Sequence, residues 1–140
     1  FEGYAMVARE DMPAKAAEAV VGLDALSEQE TFVGISFLGD KQEFWLLALA
    51  APSGKVVLHH GQADETIDRQ VVANVDCCPS TQHRLTLRIE GDRLIAELDG
   101  QEVAEEPLGM DPHRFAVSIG LSPQAQLLAY VHEVSVAFFR

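Results

Sequence analysis

Alternation with a period of two runs through most of the chain, and it is cleanest from His83 to Glu105, HRLTLRIEGDRLIAELDGQEVAE. Leu85, Leu87 and Ile89 alternate there with Arg84, Thr86, Arg88 and Glu90, which puts apolar side chains on one face of a strand and polar ones on the other. Gly91 and Asp92 supply a two-residue turn, because glycine reaches positive φ without penalty and aspartate tolerates it better than most residues. With that turn, Glu90 pairs with Arg93, Ile89 with Leu94, Leu87 with Ala96 and Leu85 with Leu98. Each apolar position then meets an apolar partner, whereas a slip of one residue would turn the whole set outward. Asp99 and Gly100 form a second turn, and the chain returns through Gln101, Glu102 and Val103. The pattern predicts three antiparallel strands in a meander.

Elsewhere the same reading gives a short edge strand over Tyr4 to Ala8. Pro13 to Leu26, PAKAAEAVVGLDAL, carries two signals. Its alanines and a proline suited to a first helical turn favour helix. Ala19, Val21, Leu23 and Ala25 alternate, however, and Gly22 would cost a helix roughly 1 kcal/mol. The alternation predicts a strand over Glu18 to Leu26, followed by a polar turn from Ser27 to Glu30. Thr31 to Leu38 and Glu43 to Ala50 are apolar on both faces and are expected as central, covered strands.

Lys55 to His60 is a further strand, the acidic stretch Gln62 to Asp68 a loop, and Arg69 to Val75 a strand. Cys77 to Gln82 is read as a turn, Glu105 to Pro112 as a loop and Phe115 to Leu121 as a strand. Leu127 to Phe139 closes the chain with unbroken alternation, Leu128, Tyr130, His132, Val134, Val136 and Phe138 lying on one face. About ten short strands separated by turn chemistry indicate an all-β, two-sheet antiparallel sandwich.

The 140 residues suffice for one domain, 1–140, with a core of its own. No apolar run approaches the roughly 20 residues of a membrane helix, so no membrane insertion is expected of this chain. It begins at Phe1 without an initiator methionine or a signal sequence, which reads as a processed product or a piece cut from a longer chain. Acidic residues outnumber basic ones by 22 to 10, for a net charge of -12. Such a surface repels phosphate backbones and anionic lipid and argues against nucleic acid as a partner. Cys77 and Cys78 are adjacent and cannot form a long-range staple, so they say little about redox compartment.

Four stretches together resemble the concanavalin A-like, laminin G-like jelly rolls, most nearly the bacterial domains of uncharacterised function in that superfamily. FVGISFLGDKQEFWLLAL is similar to the family's paired strands, HRLTLRIEGDRLIAELDGQEV to its meander, and FAVSIGL with AYVHEVSV to its last two strands. The resemblance implies a jelly roll and an extracellular or periplasmic setting. Its motifs specify fold and are nearly silent on activity, since lectins, carbohydrate-binding modules, glycoside hydrolases and membrane-anchored ectodomains share them. The closing strand departs from the family pattern, with His132 and Glu133 where an Asp and an Asn are usual. Those two residues stand as candidate ligand contacts.

Glycoside hydrolysis needs two carboxylates about 5 to 9.5 Å apart across a cleft. Glu97 and Asp99 have strand spacing for this, but Asp99 belongs to a turn, and Glu28 and Glu30 fall in a polar loop. Solvated carboxylates account for both pairs. No nucleophile elbow, phosphate loop or dinucleotide fingerprint is present. Cys77, Cys78, His59, His60 and His83 lack the ligand spacing of a zinc site. Asp64, Glu65 and Asp68 are the candidate ligands for calcium, the one cofactor entertained, weighed against a solvated acidic loop.

Trp45 is the residue most able to stack on a sugar if it faces the concave sheet, weighed against a core tryptophan on a strand apolar on both sides. The sequence reads as a noncatalytic binding or interaction domain whose partner is carbohydrate or protein, a second copy included. A glycoside hydrolase-like enzyme is the alternative.

Overall fold

The computed structural model describes residues 4–9, 14–25, 31–39, 42–51, 53–62, 65–76, 82–110, 112–120 and 127–138, and the regular structure among them is all β. The strands are β1 (Tyr4–Arg9), β2 (Ala14–Ala25), β3 (Thr31–Gly39), β4 (Glu43–Ala51), β5 (Lys55–Gln62) and β6 (Glu65–Asn74). They continue as β7 (Gln82–Glu90), β8 (Arg93–Leu98), β9 (Gln101–Pro107), β10 (Pro112–Gly120) and β11 (Leu127–Phe138). Two sheets form, one of six strands in the order β1-β10-β3-β4-β5-β6 and one of five in the order β11-β2-β7-β8-β9. Pairing is antiparallel throughout, and the chain crosses repeatedly from one sheet to the other, as in a jelly roll. Among the described residues no helix is long and apolar enough to cross a membrane.

One apolar layer joins the sheets. Val33, Ile35, Phe37, Trp45, Leu47, Leu49, Val56 and Leu58 enter it from the six-stranded sheet. Ala19, Val21, Leu85, Leu87, Ile89, Leu94 and Ala96 meet them from the other. Each large side chain removed from water there contributes about 1.5–3 kcal/mol before the ordering entropy is subtracted.

The meander has the expected register: Glu90 opposite Arg93, Ile89 opposite Leu94, Leu87 opposite Ala96 and Leu85 opposite Leu98. Its two turns differ. In the first, Gly91 has a φ of 62° and Asp92 stays negative, as when glycine leads a two-residue hairpin loop. In the second, Asp99 and Gly100 are both positive, at 51° and 84°.

Several boundaries move. Residues 14–25 are strand, longer than the alternation suggested, because β2 is paired on both sides, by β11 and by β7, and its backbone groups are spent in two ladders. The acidic stretch is not a loop through Asp68. Gln62 pairs with Glu65, so β6 starts at once, and Thr66, Ile67, Val71 and Val72 supply the β-branched residues that strands favour.

β9 likewise runs on to Pro107, opposite Arg93, where the expected loop had begun at Glu105. Proline is tolerated there because β9 borders the sheet, and the next residue, Leu108, donates its N–H to the Asp92 carbonyl. In β11 the register shifts between Val131 and Glu133, so the alternation expected to run unbroken is interrupted at His132. The turn expected at Ser27 to Glu30 lies outside the described residues, as does that expected over Cys77 to Gln82 except for Gln82 itself, which begins β7.

Two glycines separate a steric from a conformational requirement. A Cβ on Gly34 would overlap the Leu47 carbonyl oxygen and sit 2.8 Å from the Ala48 Cα, so β3 and β4 would have to part. A Cβ on Gly100 would meet nothing within 4 Å, leaving only the cost of its positive φ. Gly34→Ala is expected to destabilise by about 1–3 kcal/mol and Gly100→Val by about 1–2 kcal/mol in urea unfolding. Wild-type stability in Gly34→Ala would show that the strands have room to spare.

Candidate functional site

The β4–β5 hairpin assigns the functional side chains to their faces. Trp45 is 4% exposed and points between the sheets. Its indole N–H donates to the Leu108 carbonyl at 2.9 Å, and its ring stacks on His60 with centroids 4.3 Å apart and planes at 10°. It therefore takes the core position weighed above and has no outward ring face on which a sugar could stack.

With Trp45, Leu47 and Leu49 inward, Phe44, Leu46, Ala48 and Ala50 of β4 face out. Cross-strand register carries that outer face onto β5 and β6: Leu46 lies opposite His59, and His59 opposite Arg69. Ala48 lies opposite Val57, and Val57 opposite Val71. Lys55 shares the parity of Val57 and His59 at the start of β5. The floor is low and apolar where Ala48 and Val57 are buried. Phe44 and Leu46 are half-buried at one side and Val71 is 49% exposed at the other.

His59 is the polar centre of this face. Burial, and second the positive charge of Arg69, lower its pKa from 6.5 to about 4. The imidazole is thus neutral at pH 7, with one nitrogen donating and the other accepting. Arg69 and Lys55 are exposed, and among the described residues neither has a carboxylate partner. A small amphipathic ligand would find apolar contact from Phe44, Leu46 and Val71, two-way hydrogen bonding from His59, and positive charge beside it.

The outer face of the five-stranded sheet is chemically different. Arg84 reaches Glu18 at 3.1 Å, Arg88 reaches Glu90 at 2.6 Å and Glu97 at 3.3 Å, and Arg93 reaches Glu105 at 3.1 Å. Asp99 accepts from the Arg84 N–H at 2.8 Å and lies 2.8 Å from His83 Nδ1. Partial burial pushes its carboxyl up, but those two hydrogen bonds outweigh it and hold the group below the usual carboxylate range. Glu97 and Asp99, the pair with strand spacing, are each engaged by their own basic partners.

The other sequence candidates do not converge on one place. Asp64 lies outside the described residues, while Glu65 and Asp68 belong to β6, opposite Gln62 and His60, with Asp68 exposed. Among the described residues no three His, Cys, Asp or Glu side chains cluster as a metal site would. Glu133 lies opposite Val20 in β11, with His132 at the register shift, in the other sheet from β6; their side chains are outside the description. Cys77 and Cys78 are outside it as well. Phe44 and Arg69 were not singled out from sequence, and His59 was weighed there only as a zinc ligand. The available signal was parity along β5, where His59 shares a face with Lys55 and not with His60.

No known family profile matches the sequence, and no curated protein matches it. Solved structures do match the fold. A tetrameric galectin from the ball sponge Cinachyrella sp. superposes with a TM-score of 0.73 at 14% identity, over 96% of this chain and 100% of that one. An apo transglycosylase gives 0.72 at 14% identity over 98% and 72%. A carbohydrate-binding module from Bacillus subtilis gives 0.63 at 16% identity over 94% and 81%. These likenesses are of fold, the two-sheet jelly roll, and agree with the concanavalin A-like class that the sequence resembles.

Two outcomes follow from the geometry. Trp45→Phe strands the Leu108 carbonyl without its buried donor and is expected to cost about 1–3 kcal/mol by urea unfolding. His59 titrates lower in the folded chain than in the unfolded one, so as pH falls the unfolded chain takes up its proton first. Its contribution to stability is complete above about pH 6.5 and drains away toward pH 4. His59→Asn should lose less stability than wild type between pH 7 and 4.5, and a parallel decline in both would show that His59 is not depressed.

Proposed function

We propose that this chain is a noncatalytic carbohydrate-binding domain whose ligand rests on the outer face of the six-stranded sheet, across β4 and β5, with Phe44 and His59 as its principal contacts. The observation that carries the reading is the pairing of an aromatic side chain and a low apolar floor with a neutral imidazole. A sugar ring has an apolar C–H face that packs on the former and hydroxyls that exchange hydrogen bonds with the latter. Two of the solved counterparts, a galectin and a carbohydrate-binding module, support the ligand class by what they are called. The transglycosylase counterpart keeps a glycosidase-like activity as the alternative, but Glu97 and Asp99 offer it little, being tied to Arg88, Arg84 and His83. A glycan ligand also suits the bacterial, extracellular or periplasmic setting expected from the sequence.

A glycan array read with the wild type, Phe44→Ala and His59→Ala tests the proposal, each variant first checked for its fold by circular dichroism. Saturable binding weakened about tenfold by each substitution is expected. Binding that neither variant alters would move the site elsewhere. An empty array would end the carbohydrate reading.

A further inference from the structure

We infer that the saccharide bound by this face is an acidic one, its carboxylate or sulfate held by Arg69, with Lys55 as a second cationic point on the same strip. The inference rests on the carbohydrate reading above and specifies its ligand class. It comes from the way the protein distributes positive charge. Arg84, Arg88 and Arg93, on the five-stranded sheet, each lie within 3.3 Å of a carboxylate. Arg69 and Lys55, on the other sheet, have no such partner among the described residues. In a chain with 22 acidic residues, cations left uncompensated on one face stand apart from those on the other.

That strip also has the shape the inference needs. Among the described side chains, β4 presents no acid to it, only Phe44, Leu46, Ala48 and Ala50. Arg69 sits directly opposite His59, and Lys55 is four residues back along β5, about 13 Å away at a rise of about 3.3 Å per residue. Between them Val71, 49% exposed and opposite the buried Val57, supplies apolar surface. A cation, an apolar span and a second cation match an oligosaccharide that lays ring C–H faces on valine and presents acidic substituents at intervals.

The guanidinium suits this role, because its planar donors engage carboxylate or sulfate through two parallel hydrogen bonds. The overall charge of -12 does not forbid it. At physiological ionic strength, charges more than about 8 Å away are largely screened, so the groups on the face dominate close approach. Arg69 also depresses His59, which is how an uncompensated cation acts on a neighbouring titratable group. A bound anion would remove that push.

The test is an array of matched pairs, with calorimetry on the pairs that bind: oligogalacturonates against their methyl esters, and sulfated galactan and glucan oligosaccharides against their desulfated forms. In wild type the acidic member of a pair is expected to bind about fivefold or more tightly than its neutral partner. Arg69→Gln should bring that ratio to about one, and Lys55→Gln should lower it for oligosaccharides bearing two acidic groups. Preference in the uronate pairs or in the sulfate pairs identifies which anion the face takes. Equal binding of neutral and acidic members by wild type, or a ratio that survives Arg69→Gln, overturns the inference and leaves the carbohydrate reading intact. Failure of every glycan overturns both.

Discussion

Which face of β4 turns inward determines what this protein can offer to a ligand. Both faces of that strand are apolar, so burial alone favours neither, and the indole of Trp45 supplies the missing preference. A buried N–H left unpaired is costly, and the Leu108 carbonyl, just past the end of β9, accepts it at 2.9 Å. The bond spans the two sheets, and beside it Gln70 donates to Glu106 at 2.9 Å, joining the edge strands β6 and β9. Once Trp45 is inward, its cross-strand partners Phe37 and His60 are inward too. His59, Arg69 and Phe44 are thereby placed outside. A one-residue slip of β4 would reverse every one of these assignments.

The same constraint explains what could be read from the sequence and what could not. The meander was legible down to its residue pairs because each of its strands contrasts an apolar face with a charged one, and its turns carry Gly91 and Gly100 where positive φ is needed. In β4 that contrast is missing. The alternation says that residues 45 and 46 differ in direction without saying which is inside, and the choice depends on a carbonyl 63 residues away.

The edge strands were obscured for another reason. β6 and β9 bond to a neighbour on one side only, so acidic residues and even Pro107 persist in them and look like loop. With Gln62 to Asp68 taken as a loop, nothing would set Arg69 opposite His59. The pairing appears only when the hairpin is known to close at Gln62 and Glu65 and to shift register before Asp68.

Among the described residues, charge is sorted between the sheets to a degree that stability does not require. The ion pairs on the five-stranded sheet are largely in solvent, where each contributes at most about 1 kcal/mol. Their more definite effect is to give three arginines carboxylate partners, above an Ile95 side chain that is itself buried on that outward face. On the opposite sheet Arg69 and Lys55 have no carboxylate partner among the described residues, and Arg69 lies beside a partly desolvated imidazole. That proximity costs nothing while the ring is neutral, and it makes the charged ring unfavourable. Arg69 therefore does more than add charge to the face. Together with burial, it holds His59 in the form that can both donate and accept across the neutral pH range, which a protonated ring could not do.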